Sequence, residues 1–184
     1  MPAEIDKTTG VPAMLFVEDR GWPWHRDAQP VPGLMTADEV LERCPALAFE
    51  VEKRPLYIPT PDVTFTQVPG WMATIRLDTM AVLGIVSDSY TVYPFRNVLD
   101  IGQSLTGLGA AYETVGSLLG GRLMFASMEL GDDFFIDGDP RPHQKRLLLG
   151  TGHDGRHASP PSACMAERSA GTLGPAPWAR LARS

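Results

Sequence analysis

The chain has 184 residues, enough for one ordinary domain with a real core, because larger domains bury a larger fraction of their unfolded surface. Its apolar fraction of 43% and charged fraction of 21% are ordinary globular values. A net charge of −6 repels a phosphate backbone at long range, which excludes a generically basic DNA binder and leaves a local basic strip as the route to any nucleic-acid contact.

Two cysteines, Cys44 and Cys164, stand far apart without a C-x-x-C partner, so neither a zinc site nor a disulfide framework is expected. No run approaches the ~18 to 20 apolar residues of a membrane span, and the N-terminus lacks the basic-then-apolar order of a secretory signal. The expected protein is soluble and cytoplasmic, with no membrane contact.

In chain order, residues 1–35 carry Pro12, Pro23, Pro30 and Pro32 with Gly21 and Gly33, which predicts an irregular arm pinned by Phe16, Trp22 and Trp24. An α+β domain is expected over residues 36–157. It opens with "TADEVLERC", where Thr36 and Glu39 form a capping box and Pro45 ends the helix. "FEVEKRPLYI" then alternates with period two, a half-exposed strand that Pro55 confines to an edge or bulge.

"WMATIRLDTMAVLGIVS" predicts a hairpin turning at Asp78-Thr79-Met80-Ala81, and "YTVYP" a third short strand. Pro94 opens a helix with apolar steps at Phe95, Val98, Leu99, Ile101, Leu105 and Leu108, ended by Gly107 and Gly109. "AAYETVGSLLGGRLMFASMEL" predicts a long hairpin with a tight primed turn at Gly120-Gly121. An acidic loop and the strand "KRLLLGT" follow.

This order of three strands, one main helix and a long hairpin predicts an α+β fold with a mostly antiparallel sheet. After Ala158 the composition shifts to Ala, Pro, Ser, Gly and Arg with no usable period, which predicts a disordered tail over residues 158–184. Back-translated with G/C-rich codons and read from the third base, Pro161 to Ser169 becomes Val-Arg-Val-His-Gly-Gly-Thr-Leu, a plausible strand. The tail is then either a flexible natural C-terminus or an out-of-frame segment, and in the second case the domain is incomplete, with an unpaired edge at "KRLLLGT" that promotes association.

Three groups of side chains are candidates for function. His153-Asp154-Gly155-Arg156-His157 is the densest His/Asp cluster, but Gly152 and Gly155 make it a turn, so no catalytic or metal site is expected there. Asp132, Asp133, Asp137 and Asp139 miss the calcium-loop spacing and read as a solvated connection. No P-loop, G-x-S-x-G or dinucleotide fingerprint is present, and neither an enzyme nor a cofactor is expected.

The third group is basic and aromatic: Lys53, Arg54, Arg76, Arg96, Arg122, Arg141, Lys145 and Arg146, with Tyr57, Trp71, Tyr90 and Tyr93. Converging, they would form a groove in which bases stack and phosphates pair, as in single-strand binders. Lys53, Arg54, Arg76, Arg96, Arg122, Lys145, Arg146, Tyr90 and Tyr93 are the residues expected to carry it. The alternative is a scatter of surface charges and core aromatics.

Several stretches together resemble the phage/plasmid-like proteins of actinobacteria and their phages, a family built on a domain of unknown function. They are "PWH" at Pro23 to His25, "TADEVLE", "FEVEKRPLY", "VPGWMATIRLDTMAVLGIVSDSYTVYPFRNVLD", "YETVGSLLGGRLMFASMEL" and "LLLGTGHDGRHA". The chain departs from the family at Arg26-Asp27-Ala28, where Gly-Leu-Gly is usual, and after the "HDG" turn, where the family continues into a further strand and helical half. The resemblance implies phage or plasmid origin and no chemistry that transfers to particular residues. By analogy of fold with phage single-strand annealing proteins it implies single-stranded DNA as a partner and a homo-oligomer. A protein-protein interaction module, or a truncated remnant without function, is the alternative expectation.

Overall fold

A computed structural model describes residues 4–20, 23, 26–62, 64–106, 111–129, 134–143, 146–156 and 164–165. The architecture is α+β, with two helices and mostly antiparallel strands in two main sheets. In chain order the elements are β1 (Met14–Val17), β2 (Gln29–Val31), α1 (Ala37–Arg43), β3 (Val51–Pro59), β4 (Phe65–Arg76), β5 (Ala81–Ser87) and α2 (Phe95–Thr106). They continue with β6 (Tyr112–Leu118), β7 (Leu123–Glu129), β8 (Phe134–Ile136), β9 (Asp139–His143), β10 (Arg146–Gly152) and β11 (Cys164–Met165). No helix among the described residues is long and apolar enough to cross a membrane.

The larger sheet has the order β11-β10-β7-β6-β1-β2 and the smaller one β3-β4-β5, while β8 and β9 form a separate hairpin. The main core lies between one face of the larger sheet and the helices, where Leu15, Val115, Met124, Ala126 and Leu149 meet Val40, Phe95, Val98 and Leu99. The alternate residues Met14, Phe125 and Leu148 form a second cluster on the opposite face with Ile5 and Leu118. Both faces are thus apolar, which explains continuous hydrophobic runs such as "MLFV" and "RLLLG" where a one-sided sheet would alternate.

The N-terminal segment is not an irregular arm. All four residues of β1 are buried, between β6 on one side and a short parallel pairing with β2 on the other. Asp6 N–H donates to Ser117 and Leu119 N–H to Glu4, so residues before β1 also hold the sheet. Prolines at 12, 23, 30 and 32 limited strand length without preventing pairing, because four apolar residues suffice once a partner strand is supplied. Trp22, Trp24 and His25 lie outside the described residues.

The capping box is formed: Thr36 Oγ1 accepts from Glu39 N–H at 3.2 Å, and Thr36 N–H donates to Glu39 Oε2 at 2.8 Å. Pro55 sits in an edge strand beside a register irregularity, as expected of a residue with no N–H to donate. The turn between β6 and β7 differs from a two-residue primed turn. Leu118 pairs with Leu123, leaving four residues in the loop, with Leu119, Gly120 and Gly121 all at positive φ.

"YTVYP" is not a strand either; residues 90–94 are irregular and lead into α2. Part of the acidic connection pairs as β8 with β9, where the sequence predicts a solvated loop, while Asp132 and Asp133 lie outside the described residues. The edge of β10 is not fully open, because Leu147 and Leu148 pair with Met165 and Cys164. The rest of residues 158–184 lies outside the described residues.

Candidate functional site

The basic residues expected to form a groove are placed on several different surfaces. Arg76 has no exposed side-chain area: it pairs with Asp6 and, at 2.7 Å, with Asp78, donates to the Gly120 carbonyl at 3.1 Å, and lies 3.9 Å over the Phe49 ring. Arg96, on the first turn of α2, is bound to Asp38 at 2.7 Å and to Asp100 at 2.8 Å. Arg146 is mostly buried and meets Glu113 at 2.6 Å in the larger sheet.

Lys53 Nζ donates to the carbonyls of Asp88 and Tyr90, both at 2.6 Å, which ties the loop after β5 to β3. The Tyr90 hydroxyl donates to the Gly152 carbonyl at 2.5 Å, and the Tyr93 carbonyl accepts from Thr151 Oγ1. Arg122 is exposed in the turn before β7. Lys145 lies outside the described residues, and Arg141 belongs to β9. Lys53, Arg76, Tyr90 and Tyr93 therefore hold the two sheets and the connecting loop together.

A different grouping emerges on the smaller sheet. Register places Arg54 opposite Ala73 and Glu52 opposite Ile75, with Ile85 and Val82 across from the same two β4 residues and Ser87 opposite Trp71. Directly opposed residues share a face, so Glu52, Arg54, Trp71, Val82 and Ile85 lie on one outer face, over the buried Ala73 and Ile75 between them. Trp71, Val82 and Ile85 are each half exposed on it. The other face carries Thr74 and Gly84 and packs on the body; Thr74 Oγ1 donates to the His153 carbonyl at 2.6 Å.

Beyond the irregularity at Pro55/Tyr57, the distal ends of β3 and β4 project from the molecule. There Tyr57 lies opposite Gln67 and Phe65 opposite Pro59, so both rings share a face, at 52% and 72% exposure. Three large aromatic rings are thus open on one small sheet, with Arg54 diagonal to Trp71. Arg54 is itself paired with Glu52 at 3.1 Å, and both side chains are about half exposed. Sequence reasoning singled out Arg54, Tyr57 and Trp71 but missed Phe65, whose exposure follows from its place at the tip of an edge hairpin.

The His153 cluster is a turn, as the glycines predicted. His153 is buried, its N–H donates to the Arg122 carbonyl at 2.8 Å, and burial pulls the imidazole down to about 4 against a smaller opposing pull from Asp154. It is neutral at pH 7. His157 lies outside the described residues, and no group of three His, Cys, Asp or Glu residues among those described could hold a metal ion. Cys44 is buried, and desolvation raises its thiol, which disfavours the reactive thiolate.

Residues 82–164 match the family model of a domain of unknown function, DUF932. The DUF932 match runs from the second residue of β5 into β11, and so takes in α2, the turn at His153 and four strands of the larger sheet. Val82, Ile85, Tyr90 and Arg96 fall inside it, whereas Arg54, Tyr57, Phe65 and Trp71 precede it. No curated protein and no solved structure matches the chain.

Proposed function

We propose that this is a non-enzymatic binding protein of phage or plasmid type that holds single-stranded nucleic acid on the outer face of the β3-β4-β5 sheet. The observation that carries the reading is the exposure of Tyr57, Phe65 and Trp71 on one three-stranded sheet, with Arg54 beside Trp71. Large aromatic rings in water are costly unless a partner covers them, and every base presents a π-face on which such a ring can stack, at about 1–3 kcal/mol per base. Lys53 and Arg76 on that sheet are tied into the body, and Arg54 pairs with Glu52 where both are half exposed, a weak pair that can be exchanged for one phosphate, so stacking supplies most of the affinity.

This makes two numerical expectations. The dissociation constant for an oligothymidine is on the order of 10⁻⁵ M at moderate salt, and the salt slope is shallow, about −0.7 for one phosphate contact at Arg54. Fluorescence anisotropy of a labelled oligothymidine checks both. Trp71→Ala should weaken binding about 5- to 150-fold, the equivalent of one lost stack, and Arg54→Ala should flatten the salt dependence. Absence of binding at low salt, or full binding by Trp71→Ala, would rule the reading out.

The aliphatic half of the same face, Val82 and Ile85, favours a second reading in which an apolar protein surface docks there. Capture from host lysate that survives nuclease treatment and is lost in Ile85→Lys would support that reading over the first.

A further inference from the structure

At the junction of the two sheets and both helices lies a cleft of about 350 Å³. Leu41 and Leu47 form its wall on the α1 side, Phe49 and Val51 its β3 side, and Val92 and Phe95 the side of the loop entering α2. Its volume and its place between structural units are those of small-ligand pockets, which are mostly apolar with a few polar groups that fix orientation. The polar groups here are Glu50, Arg96 and His153.

His153 is the informative one. Its side chain is 1% exposed, its ring stands edge-on to Phe49 with centroids 6.2 Å apart, and Nδ1 is buried without a hydrogen-bond partner. The bonds that hold the residue in place all run through its backbone: N–H to Arg122, and carbonyl oxygen to Thr74. Leaving a buried polar atom unmet costs about 1–3 kcal/mol, and native proteins keep few such atoms. The two ring nitrogens point to opposite sides of the imidazole, so Nδ1 can meet one polar atom of a ligand, as acceptor or as donor according to the tautomer.

The charges around the cleft narrow the ligand further. Arg96 is already bound to Asp38 and Asp100, and Glu50 is exposed, so the lining has no unspent positive charge for an anion. A planar, neutral group with a polar ring atom at its edge fits the apolar walls and the single unmet imidazole nitrogen together. We propose that the cleft at His153 is a binding site for a neutral heteroaromatic base, a nucleobase taken out of the strand held on the neighbouring sheet face. This rests on the proposed function for its source of bases, and β3 links the two places, since Val51 lines the cleft while Arg54 lies on the outer face.

The test uses the full chain and two probes, cytidine and adenosine, with free ribose as control, read by the NMR signals of the His153 ring. At least one nucleoside should shift those signals saturably with a dissociation constant of about a millimolar or tighter, and ribose should not. Val92→Trp, which fills the mouth from a half-buried loop position, should abolish the shift while the folded spectrum is kept; His153→Phe should weaken nucleoside binding about tenfold by direct calorimetry. No saturable shift with either nucleoside, or an undiminished one in Val92→Trp, overturns the proposal. Oligothymidine binding that is lost in Trp71→Ala but accompanied by no nucleoside shift overturns the cleft and spares the sheet face. A nucleoside shift in a protein that binds no oligonucleotide does the reverse.

Discussion

Taking a guanidinium out of water costs several kcal/mol unless its charge and its N–H groups are met, and Arg76 meets them with two aspartates, a carbonyl and a ring face. Asp6 carries the reciprocal load. Burial alone would raise its carboxyl, but bonds from Thr8 and Arg76 outweigh that and hold it below its ordinary value of 3.8. Removing one partner leaves the other charged, buried and uncompensated. Arg76→Met is expected to cost about 3–5 kcal/mol in urea unfolding, and pairing it with Asp6→Asn should recover part of that loss; a loss under 1 kcal/mol would show that the pair is not needed.

His153 makes the pH dependence. Its folded value, pulled down to about 4, lies below the 6.5 of an unfolded histidine, so the unfolded chain binds the proton first as pH falls. The stabilisation is complete above pH 6.5 and is lost progressively between 6.5 and 4, by about 3 kcal/mol in all. Chemical denaturation at pH 7.5, 5.5 and 4.5 measures the slope, which His153→Phe should flatten. An equal slope in the variant would assign the effect to other groups.

At the scale of elements, the parts that formed as expected are those whose signals are local. Thr36 and Glu39 bond each other three residues apart, α2 places Val98 and Leu99 inward from one turn, and Pro55 marks an edge strand by what its ring cannot donate. The parts that differed depend on distant partners. β1 reads as a short apolar piece between prolines until β6 pairs with it, and β8 and β9 read as a charged loop until they pair with each other. "YTVYP" has β-forming residues, yet no strand is offered to it, because Lys53 and the larger sheet take Tyr90 and Tyr93 as loop anchors.

The smaller sheet also depends on one close approach. A Cβ on Gly84 would stand 2.5 Å from Asp154 Cα and 2.6 Å from its carbonyl oxygen, backbone atoms that cannot swing aside. Gly84→Ala is therefore expected to destabilise the fold by about 1–3 kcal/mol and to loosen the turn at 153–156 from β5, seen as faster amide exchange there. An unchanged midpoint and unchanged exchange would mean that the two sheets separate at no cost.

For the molecule as a whole, a residue's type was legible in the sequence and its availability was not. The sequence's cations suggest a possible groove, but a cation's availability depends on which acid the fold sets beside it. Arg96, Arg146 and Arg54 each have one within 3.1 Å. Aromatic residues at strand positions were legible as sheet side chains, while their exposure required knowing that one face of β3-β4-β5 meets the body and the other does not. The same holds for the cleft, whose walls come from five separate stretches of chain and whose polar end sits in a turn that looked merely connective.

By itself, the sequence determined what short-range physics controls: the α+β class, the capped helix, the edge strand at Pro55, the long hairpin with glycines at its turn, and the turn at His153. The tertiary structure decided which strands are central, which charges are spent on structure and which rings remain in water. Those outcomes are set by contacts between residues far apart in the chain, such as Asp6 with Arg76 and Thr74 with His153, and no local pattern encodes the energy of a partner that folding has yet to supply.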